Sequence, residues 1–448
     1  MPVLKRHGEE LAWVLKDKIN SRSAVVAVVG LGYVGLPMAV EQARAGFPVV
    51  GIDRDEKKVE QVNSGHSYIR DVPGEVLQTL VKGGRLRAHH SFDPLGGADV
   101  VIICVPTPLK SMKQPDLSFV ISAAGEVAGR IRPGQLISLE STTFPGTTQE
   151  IVLPILQSGG YTAGEDFFLV FSPERVDPGN KCYTAPDISK VVGGVTPVCL
   201  DVACAFYRQS IKKVVPVSSP AVAEMTKIFE NTYRAVNIAL VNEFMLLCDR
   251  MGLDIWEVVE AAATKPFGIH TFYPGPGVGG HCIPVDPFYL AWRARDYGFH
   301  TRFIDLAGEI NAQAPEYVVQ KLIGLLNRQK KCLNGAKILV LGVAYKKDVD
   351  DVRESPATKI VGLLLKNGAA VSYYDPYVPV FRLSQKEAHC LESVPLSAEE
   401  VAGADCVLIL TDHSCVDYQW VVEHAGLILD ARNATRAVRR GREKITRI

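Results

Sequence analysis

The sequence lacks any charge of one sign in excess: 49 lysines and arginines stand against 49 aspartates and glutamates in 448 residues. No global basic surplus therefore points to nucleic acid or an anionic membrane as the partner. It also lacks any run of about 18 apolar residues, so no membrane span is expected. The first twenty residues carry charges throughout, with Leu11, Val14 and Leu15 at helical spacing. They lack the apolar centre and cleavage site of a signal peptide, and residues 1–20 are expected to form an amphipathic helical extension. The ten cysteines include no Cys-x-x-Cys pair and no cluster of metal-ligand spacing. In a chain of this size that pattern excludes a disulfide scaffold, gives no metal site, and implies reduced thiols in the cytoplasm.

What is present is ordinary in bulk and unusual in detail. With 47% hydrophobic and 22% charged residues, the chain can build a large core, and its length suggests two or three domains. The unusual stretch is Pro274-Gly275-Pro276-Gly277-Val278-Gly279-Gly280-His281-Cys282-Ile283-Pro284-Val285-Asp286-Pro287. Four glycines and two prolines before Cys282 forbid a helix or central strand, and they let another molecule approach the main chain. Asp286-Pro287 reads as an N-cap and a proline at the first helical position of a helix over residues 288–297. Cys282 then lies one turn before a helix N-terminus, where a thiolate is favoured. The same run is equally compatible with a glycine-rich turn around an inert cysteine.

Residues 21–215 read as a first α/β domain. The apolar run Ala24-Val25-Val26-Ala27-Val28-Val29 flows into Gly30-Leu31-Gly32-Tyr33-Val34-Gly35, and a helix over residues 36–45 follows. A second strand, residues 48–52, ends at Asp53. Strand, glycine turn, helix and acid in this order form a dinucleotide site. The glycines admit a pyrophosphate to the helix N-terminus, and the acid suits a ribose 2′-OH, which favours NAD over NADP. Further strands are expected at residues 98–104, 135–140, 167–171 and 213–217. Ligands gather at the carboxyl ends of such strands, so Thr107, Ser141-Thr142-Thr143 and Ser172-Pro173-Glu174-Arg175 are the polar residues to follow. Each is also ordinary turn chemistry.

Residues 216–325 are expected to be mainly helical. A pattern capped by Ser218-Ser219-Pro220 runs to Met251, a helix of roughly 48 Å. It can connect domains or pair with a second copy. Glu224, Lys227 and Asn231 share one of its faces. Residues 326–448 repeat the strand–glycine–helix pattern at Gly342 without the full fingerprint, and the repeated strand ends at Asp375. Lys346, Arg353 and Arg432 follow strand ends, where cations suit phosphates. The fold class is thus α/β, with two Rossmann-like doubly wound domains joined by a long central helix.

A cysteine adds something to an NAD domain when an aldehyde must be oxidised onward. Thiolate attack gives a thiohemiacetal, a second hydride loss gives a thioester, and water releases a carboxylate. Lys227 and Asn231 suit the developing oxyanion; Asp286, Glu174 and a water held by Thr142 suit the hydrolysis.

Four motifs carry a resemblance over nearly the whole chain: Gly30-Leu-Gly-Tyr-Val-Gly35, Glu224-Met-Thr-Lys-Ile-Phe-Glu-Asn231, Gly277-Val-Gly-Gly-His-Cys-Ile-Pro-Val-Asp286, and Tyr345-Lys-Lys-Asp348 with Arg353-Glu-Ser355. In order, they resemble the UDP-glucose/GDP-mannose dehydrogenase family. The resemblance implies a homodimer through the long helix, and oxidation of a nucleotide sugar at C6 to a carboxylate by two NAD in succession. It implies Cys282 as nucleophile, Lys227 and Asn231 on the oxyanion, Asp286 and Thr142 on water, and Glu174 as an acid–base or substrate-orienting carboxylate. Gly30, Gly32, Tyr33, Val34, Gly35, Asp53, Lys58, Thr107, Thr142 and Arg353 would face NAD. Glu174, Arg175, Lys227, Asn231, Phe272, Tyr273, Gly279, Lys346 and Arg432 would face the UDP-sugar. The runs Ser172–Gly179 and 264–268, with His281 before the cysteine, resemble the branch acting on UDP-N-acetylhexosamines. That branch implies UDP-N-acetylglucosamine as substrate, with UDP-glucose, UDP-N-acetylmannosamine and UDP-N-acetylgalactosamine as alternatives.

Overall fold

The computed structural model describes residues 7–110, 113–176, 183, 185–383 and 390–448. It resolves into two compact units. The first holds residues 1–230 and 288–298, the second 231–287 and 299–448. The division falls inside the helix Pro220–Met251 and again inside the helix Asp286–Ala294.

The first unit is built on eight strands: β1 (Val26–Val29), β2 (Val49–Ile52), β3 (Leu86–His89), β4 (Val100–Ile103), β5 (Leu136–Leu139), β6 (Phe168–Phe171), β7 (Lys190–Gly194) and β8 (Val214–Val217). They lie in the order β3-β2-β1-β4-β5-β6-β7-β8. Neighbours are parallel throughout except β6 and β7. β1, β4, β5 and β6 are buried along their whole length, as strands covered on both faces must be. Strand order reverses between β1 and β4, which opens a crevice at their carboxyl ends.

Two of these strands are silent in the sequence. β3 alternates buried and exposed residues at a sheet edge. β7, Lys-Val-Val-Gly-Gly, mixes a charge and two glycines into a fully buried strand. Its glycines are needed because a Cβ on Gly193 would lie 2.2 Å from the Ser219 carbonyl oxygen, and one on Gly194 2.5 Å from the Leu200 nitrogen.

The helix His7–Asn20 buries Ala12, Leu15 and Ile19 and packs against the helix Pro197–Tyr207. Its Lys18 reaches Asp99 at 2.9 Å. Asp99 is buried and also receives Arg132 at 2.8 Å and the Val25 N–H at 3.0 Å.

The second unit contains a five-stranded parallel sheet of β9 (Lys337–Leu341), β10 (Ala370–Tyr374), β13 (Cys406–Ile409), β14 (Ile428–Asp430) and β15 (Ile445–Arg447). The order is β10-β9-β13-β14-β15. A short antiparallel pair, β11 (Val380–Arg382) and β12 (Cys390–Glu392), lies beside β10, with the Phe381 ring 5.8 Å from that of Tyr373. Met245, Cys248 and Trp256 join one face of the sheet's core, and Trp256 Nε1 donates to the Ile448 carbonyl at 2.9 Å. The architecture is therefore α/β with two Rossmann-like sheets, the first parallel but for the β6–β7 pair, and a 32-residue helix, Pro220–Met251, with residues in both units.

Burial raises the Asp99 carboxyl, but hydrogen bonds from Lys18, Arg132 and Val25 outweigh it and hold it below the usual carboxylate range. A depressed carboxylate stabilises the fold above its unfolded value, near about 3.9, and the stabilisation is lost as pH falls through the native value. Asp99→Asn should therefore cost about 1–2 kcal/mol at pH 7. The gap between variant and native protein in urea melts should close below about pH 4; equal stabilities at pH 7 would contradict the assignment.

Candidate active site

The glycine turn after β1 has the geometry a dinucleotide needs. Gly30 sits at φ 91° and donates to the Ile52 carbonyl at 2.7 Å. A Cβ on Gly35 would lie 1.7 Å from the Gly30 oxygen, so the helix Gly35–Arg44 can start against the turn only without a side chain there. Gly32 has no atom within 4 Å of where a Cβ would stand, which leaves its outer side open. Tyr33 is exposed and Val34 half-buried on the same turn.

Asp53, at the carboxyl end of β2, accepts from the Leu31 N–H at 2.9 Å and from the Asp55 N–H at 3.0 Å. Lys58 Nζ lies 3.6 Å from its carboxylate. Tyr68, which the sequence does not single out, donates its hydroxyl to the Leu31 carbonyl at 2.6 Å and locks the turn from the other side. These residues fit a dinucleotide: a tight turn, an open glycine, a helix N-terminus and an acid at the next strand end.

The loops after β4 and β5 are braced from beneath. Ser141 Oγ donates to the Val105 carbonyl and accepts from the Val105 N–H, both at 2.9 Å. Thr107 is buried, and its carbonyl accepts from the Tyr289 hydroxyl at 2.7 Å. Ser141 and Thr143 turn inward, while Thr142 between them is half-buried.

The loop is tied to the long helix by Glu224. Its carboxylate accepts from Gly146 N at 2.6 Å, Thr148 N at 2.9 Å and Thr148 Oγ1 at 2.7 Å. Burial pushes this carboxyl up to about 7 in spite of those donors.

Glu174 follows β6. One carboxylate oxygen accepts from the Arg175 N–H at 2.7 Å and the Val176 N–H at 2.9 Å, and the other from Lys190 at 3.2 Å. Its carbonyl accepts from Lys227 Nζ at 2.7 Å. Arg175 turns its guanidinium to Glu230 and to the Ser189 carbonyl. Residues 177–179 of the Ser172–Gly179 run lie outside the described residues. Lys190 has no counterpart among the sequence expectations, because a lysine opening a strand carries no recognisable motif.

The second unit holds the cysteine loop. Cys282 is exposed. Its carbonyl accepts from Val285 N at 3.1 Å and Asp286 N at 2.8 Å, so it closes the first turn of the helix Asp286–Ala294. That helix begins at Asp286 itself, two residues before the expected start. The Asp286 side chain is buried and accepts from Asn231 Nδ2 at 2.6 Å.

Upstream, Gly280 at φ 86° donates to the Arg353 carbonyl at 3.0 Å. A Cβ on Gly279 would lie 2.7 Å from that of Tyr345, and one on Gly275 2.8 Å from Arg432 Nη1. The glycines are thus pressed against the loops that follow β9 and β14. Asn242 pins the run by accepting from the Gly275 N–H at 3.1 Å, a role the sequence gives no hint of.

The remaining expected residues are partly occupied with neighbours. Arg353 forms a two-pronged contact with Asp351, at 3.0 and 2.7 Å. Arg432 lies 3.5 Å from Asp412. Lys346 is half-buried. Phe272 meets Tyr233 edge-on, and Tyr273 stacks on Trp256 at 5.9 Å between ring centres.

Asp375 is placed as Asp53 is, at the end of the second strand of its unit. It faces inward, however, accepting from Val343 N, Ala344 N and His413 Nε2 at 2.8, 3.1 and 3.1 Å.

Comparison with known proteins gives the same division of labour. Sequence models of the UDP-glucose/GDP-mannose dehydrogenase family match residues 24–211 as its NAD binding domain, 221–313 as its central domain and 339–437 as its UDP binding domain. A UDP-N-acetyl-D-mannosamine dehydrogenase of Methanococcus maripaludis is 36% identical over 398 residues, covering 87% of this chain and 86% of the relative. A UDP-N-acetyl-D-glucosamine 6-dehydrogenase of Pseudomonas aeruginosa is 34% identical over 391 residues, covering 87% and 90%. The solved UDP-D-ManNAc dehydrogenase of Pyrococcus horikoshii superposes with a TM-score of 0.83 at 35% identity, covering 92% of this chain and 96% of that one. With a dinucleotide turn, a cysteine loop and a second Rossmann-like unit all in register with the three family domains, the chain belongs to the UDP-glucose/GDP-mannose dehydrogenase family and is an NAD-dependent nucleotide-sugar dehydrogenase.

Proposed function

We propose that the protein oxidises the C6 hydroxymethyl of a UDP-N-acetylhexosamine to the carboxylate, in two successive two-electron steps. The observation that carries this reading is the buried Asn231–Asp286 bond, 2.6 Å long, at the foot of the turn that exposes Cys282. A simple alcohol dehydrogenase has no use for an exposed thiol followed by a fixed carboxylate.

Gly30, Gly32, Tyr33, Val34, Gly35, Asp53 and Lys58, with Thr107, Thr142 and Arg353, would hold NAD, which when bound would supply the hydride acceptor for each oxidation. After the alcohol has become an aldehyde, the Cys282 thiolate adds to C6. The new C–S bond leaves a negative oxygen, which Lys227 and Asn231 are assigned to stabilise. Loss of hydride from that adduct gives a thioester. Water positioned by Asp286 and Thr142 adds to it, the C–S bond breaks, and the thiolate returns with a carboxylate as product. Glu174, Arg175, Phe272, Tyr273, Gly279, Lys346 and Arg432 are assigned to the UDP-sugar.

Within the class, the His281-Cys282 pair supports the expected substrate UDP-N-acetylglucosamine. The relatives named for UDP-N-acetyl-D-mannosamine, among them a Pyrococcus horikoshii protein 38% identical over 420 residues, favour the C2 epimer as a second reading. The proposed location is the cytoplasm, consistent with free cysteines throughout the described residues.

NADH release against UDP-glucose and the UDP-N-acetyl derivatives of glucosamine, mannosamine and galactosamine decides the sugar. Two NADH per sugar are expected, and a ratio of one would defeat the cysteine route. Cys282→Ser should lower carboxylate formation by about a thousandfold or more with NAD binding intact; normal turnover in that variant would exclude the nucleophile.

The assembly we propose is a homodimer through the long helix. Leu240, Phe244, Leu247 and Met251 are each about half exposed or more on it. A groove of about 580 Å³ runs beside them, lined by Leu240, Phe244, Val258, Ile269 and Phe272. An apolar face of this extent is costly in water and suits a second copy. Leu240→Glu with Phe244→Glu should turn a dimer in light scattering into a monomer. A native protein that is already monomeric would refute the assembly.

A further inference from the structure

The turn of chain direction at β7 has a chemical consequence. Because β7 runs antiparallel to β6, its first residue stands at the carboxyl edge of the sheet, where ligands collect. That residue is Lys190, with only 4% of its surface exposed. Its ammonium lies 2.7 Å from the Glu140 carboxylate and 3.2 Å from that of Glu174. Glu140, which follows β5, is fully covered, and its second oxygen accepts from the Tyr207 hydroxyl at 2.6 Å. Tyr207 in turn lies 2.7 Å from Ser138 Oγ.

A buried lysine between two carboxylates is not a packing convenience, since desolvating three charges costs more than an apolar core of the same volume. Two carboxylates against one ammonium leave a negative charge, and Lys227, bonded to the Glu174 carbonyl, balances it.

We infer that Lys190 is a positioning residue for the dehydrogenase reaction: anchored by Glu140, it holds the Glu174 side chain in place so that the Glu174 carbonyl presents the Lys227 ammonium. The inference rests on the roles proposed above for Glu174 and Lys227. Among the described residues, the titratable groups facing Glu174 are Lys190, Lys227, Glu140 and Cys104 and, on its own loop, Arg175 with its partner Glu230; Tyr207 stands behind Glu140.

Burial by itself would raise the Glu174 carboxyl, but the charges of Lys190 and Lys227 and the Val176 and Arg175 N–H groups outweigh it and keep it below the usual range. Lys190 is likewise kept charged against its burial by Glu140 and Glu174. With both oxygens committed to donors, Glu174 remains a carboxylate and acts by its position. Without Lys190, burial prevails and Glu174 takes up a proton at higher pH.

Lys190→Met tests this. NAD affinity should be unchanged, because the glycine turn and Asp53 are not involved. Turnover at pH 8 should fall about 10- to 100-fold. The acid limb of the rate–pH profile should move up by about one pH unit or more, so that the loss is greatest near pH 6. Lys190→Arg should return the limb towards its native position. Should the unpaired Glu140 prevent folding, Lys190→Met with Glu140→Gln removes that charge and should still show the shifted limb. A folded variant whose turnover and acid limb match the native protein would overturn the role of Lys190. The native protein assayed with the same UDP-sugars separates the two ideas. No NADH from any of them counts against the substrate reading, whereas NADH from native and variant alike counts against Lys190 alone.

Discussion

Buried polar side chains of the helix Pro220–Met251 tie neighbouring chain segments to it within each unit. Glu224, Lys227 and Asn231 recur at helical spacing, and each is at most 8% exposed. Each is bonded to a different loop: Glu224 to residues 146–148, Lys227 to the Glu174 carbonyl, Asn231 to Asp286. A buried polar group left without its partner costs on the order of 1–3 kcal/mol. Within each unit the helix supplies a regular element against which those segments are fixed.

The same logic explains the glycines. Loops that must lie against other backbone can do so only where no Cβ intervenes. Gly35 against Gly30, Gly193 against Ser219 and Gly279 against Tyr345 are each closer than any side chain allows. In the first unit this makes a seat for the dinucleotide. In the second it fixes the run before Cys282 on the loops after β9 and β14. The second unit shares the strand order and the strand-end acid of a nucleotide fold, yet Asp375 is turned inward onto His413 and the Gly342 turn. Asp375 is engaged by five donors, the Tyr377 and Val378 N–H groups included, and is buried, whereas Asp53 is half-buried.

Much of this was legible without coordinates. The strands of continuous Val, Ile and Leu, the glycine fingerprint, Asp53 and the length of the central helix all follow from local pattern, because burial on both faces and a tight turn each restrict composition. The elements that escaped are those whose signal is not local. β3 is a four-residue edge strand. β7 begins with a lysine and ends in two glycines, which by composition argues for a loop. Tyr68, Asn242, Tyr289 and Lys190 act through partners 37, 33, 182 and 50 residues away. Nothing in their own neighbourhoods marks them.

The sequence by itself determined the class of fold, the dinucleotide turn, the cysteine loop and the family, because each rests on residue types at short, fixed spacing. The tertiary structure decided how the polar residues are used. It paired Asp286 with Asn231, directed Arg353 to Asp351 and Arg175 to Glu230, and enclosed Lys190 between Glu140 and Glu174. Charge pairing inside a protein depends on which strand ends meet. The reversal of chain direction at β7, which β8 follows, brought a lysine to the carboxyl edge of the sheet, and no local pattern announces that turn.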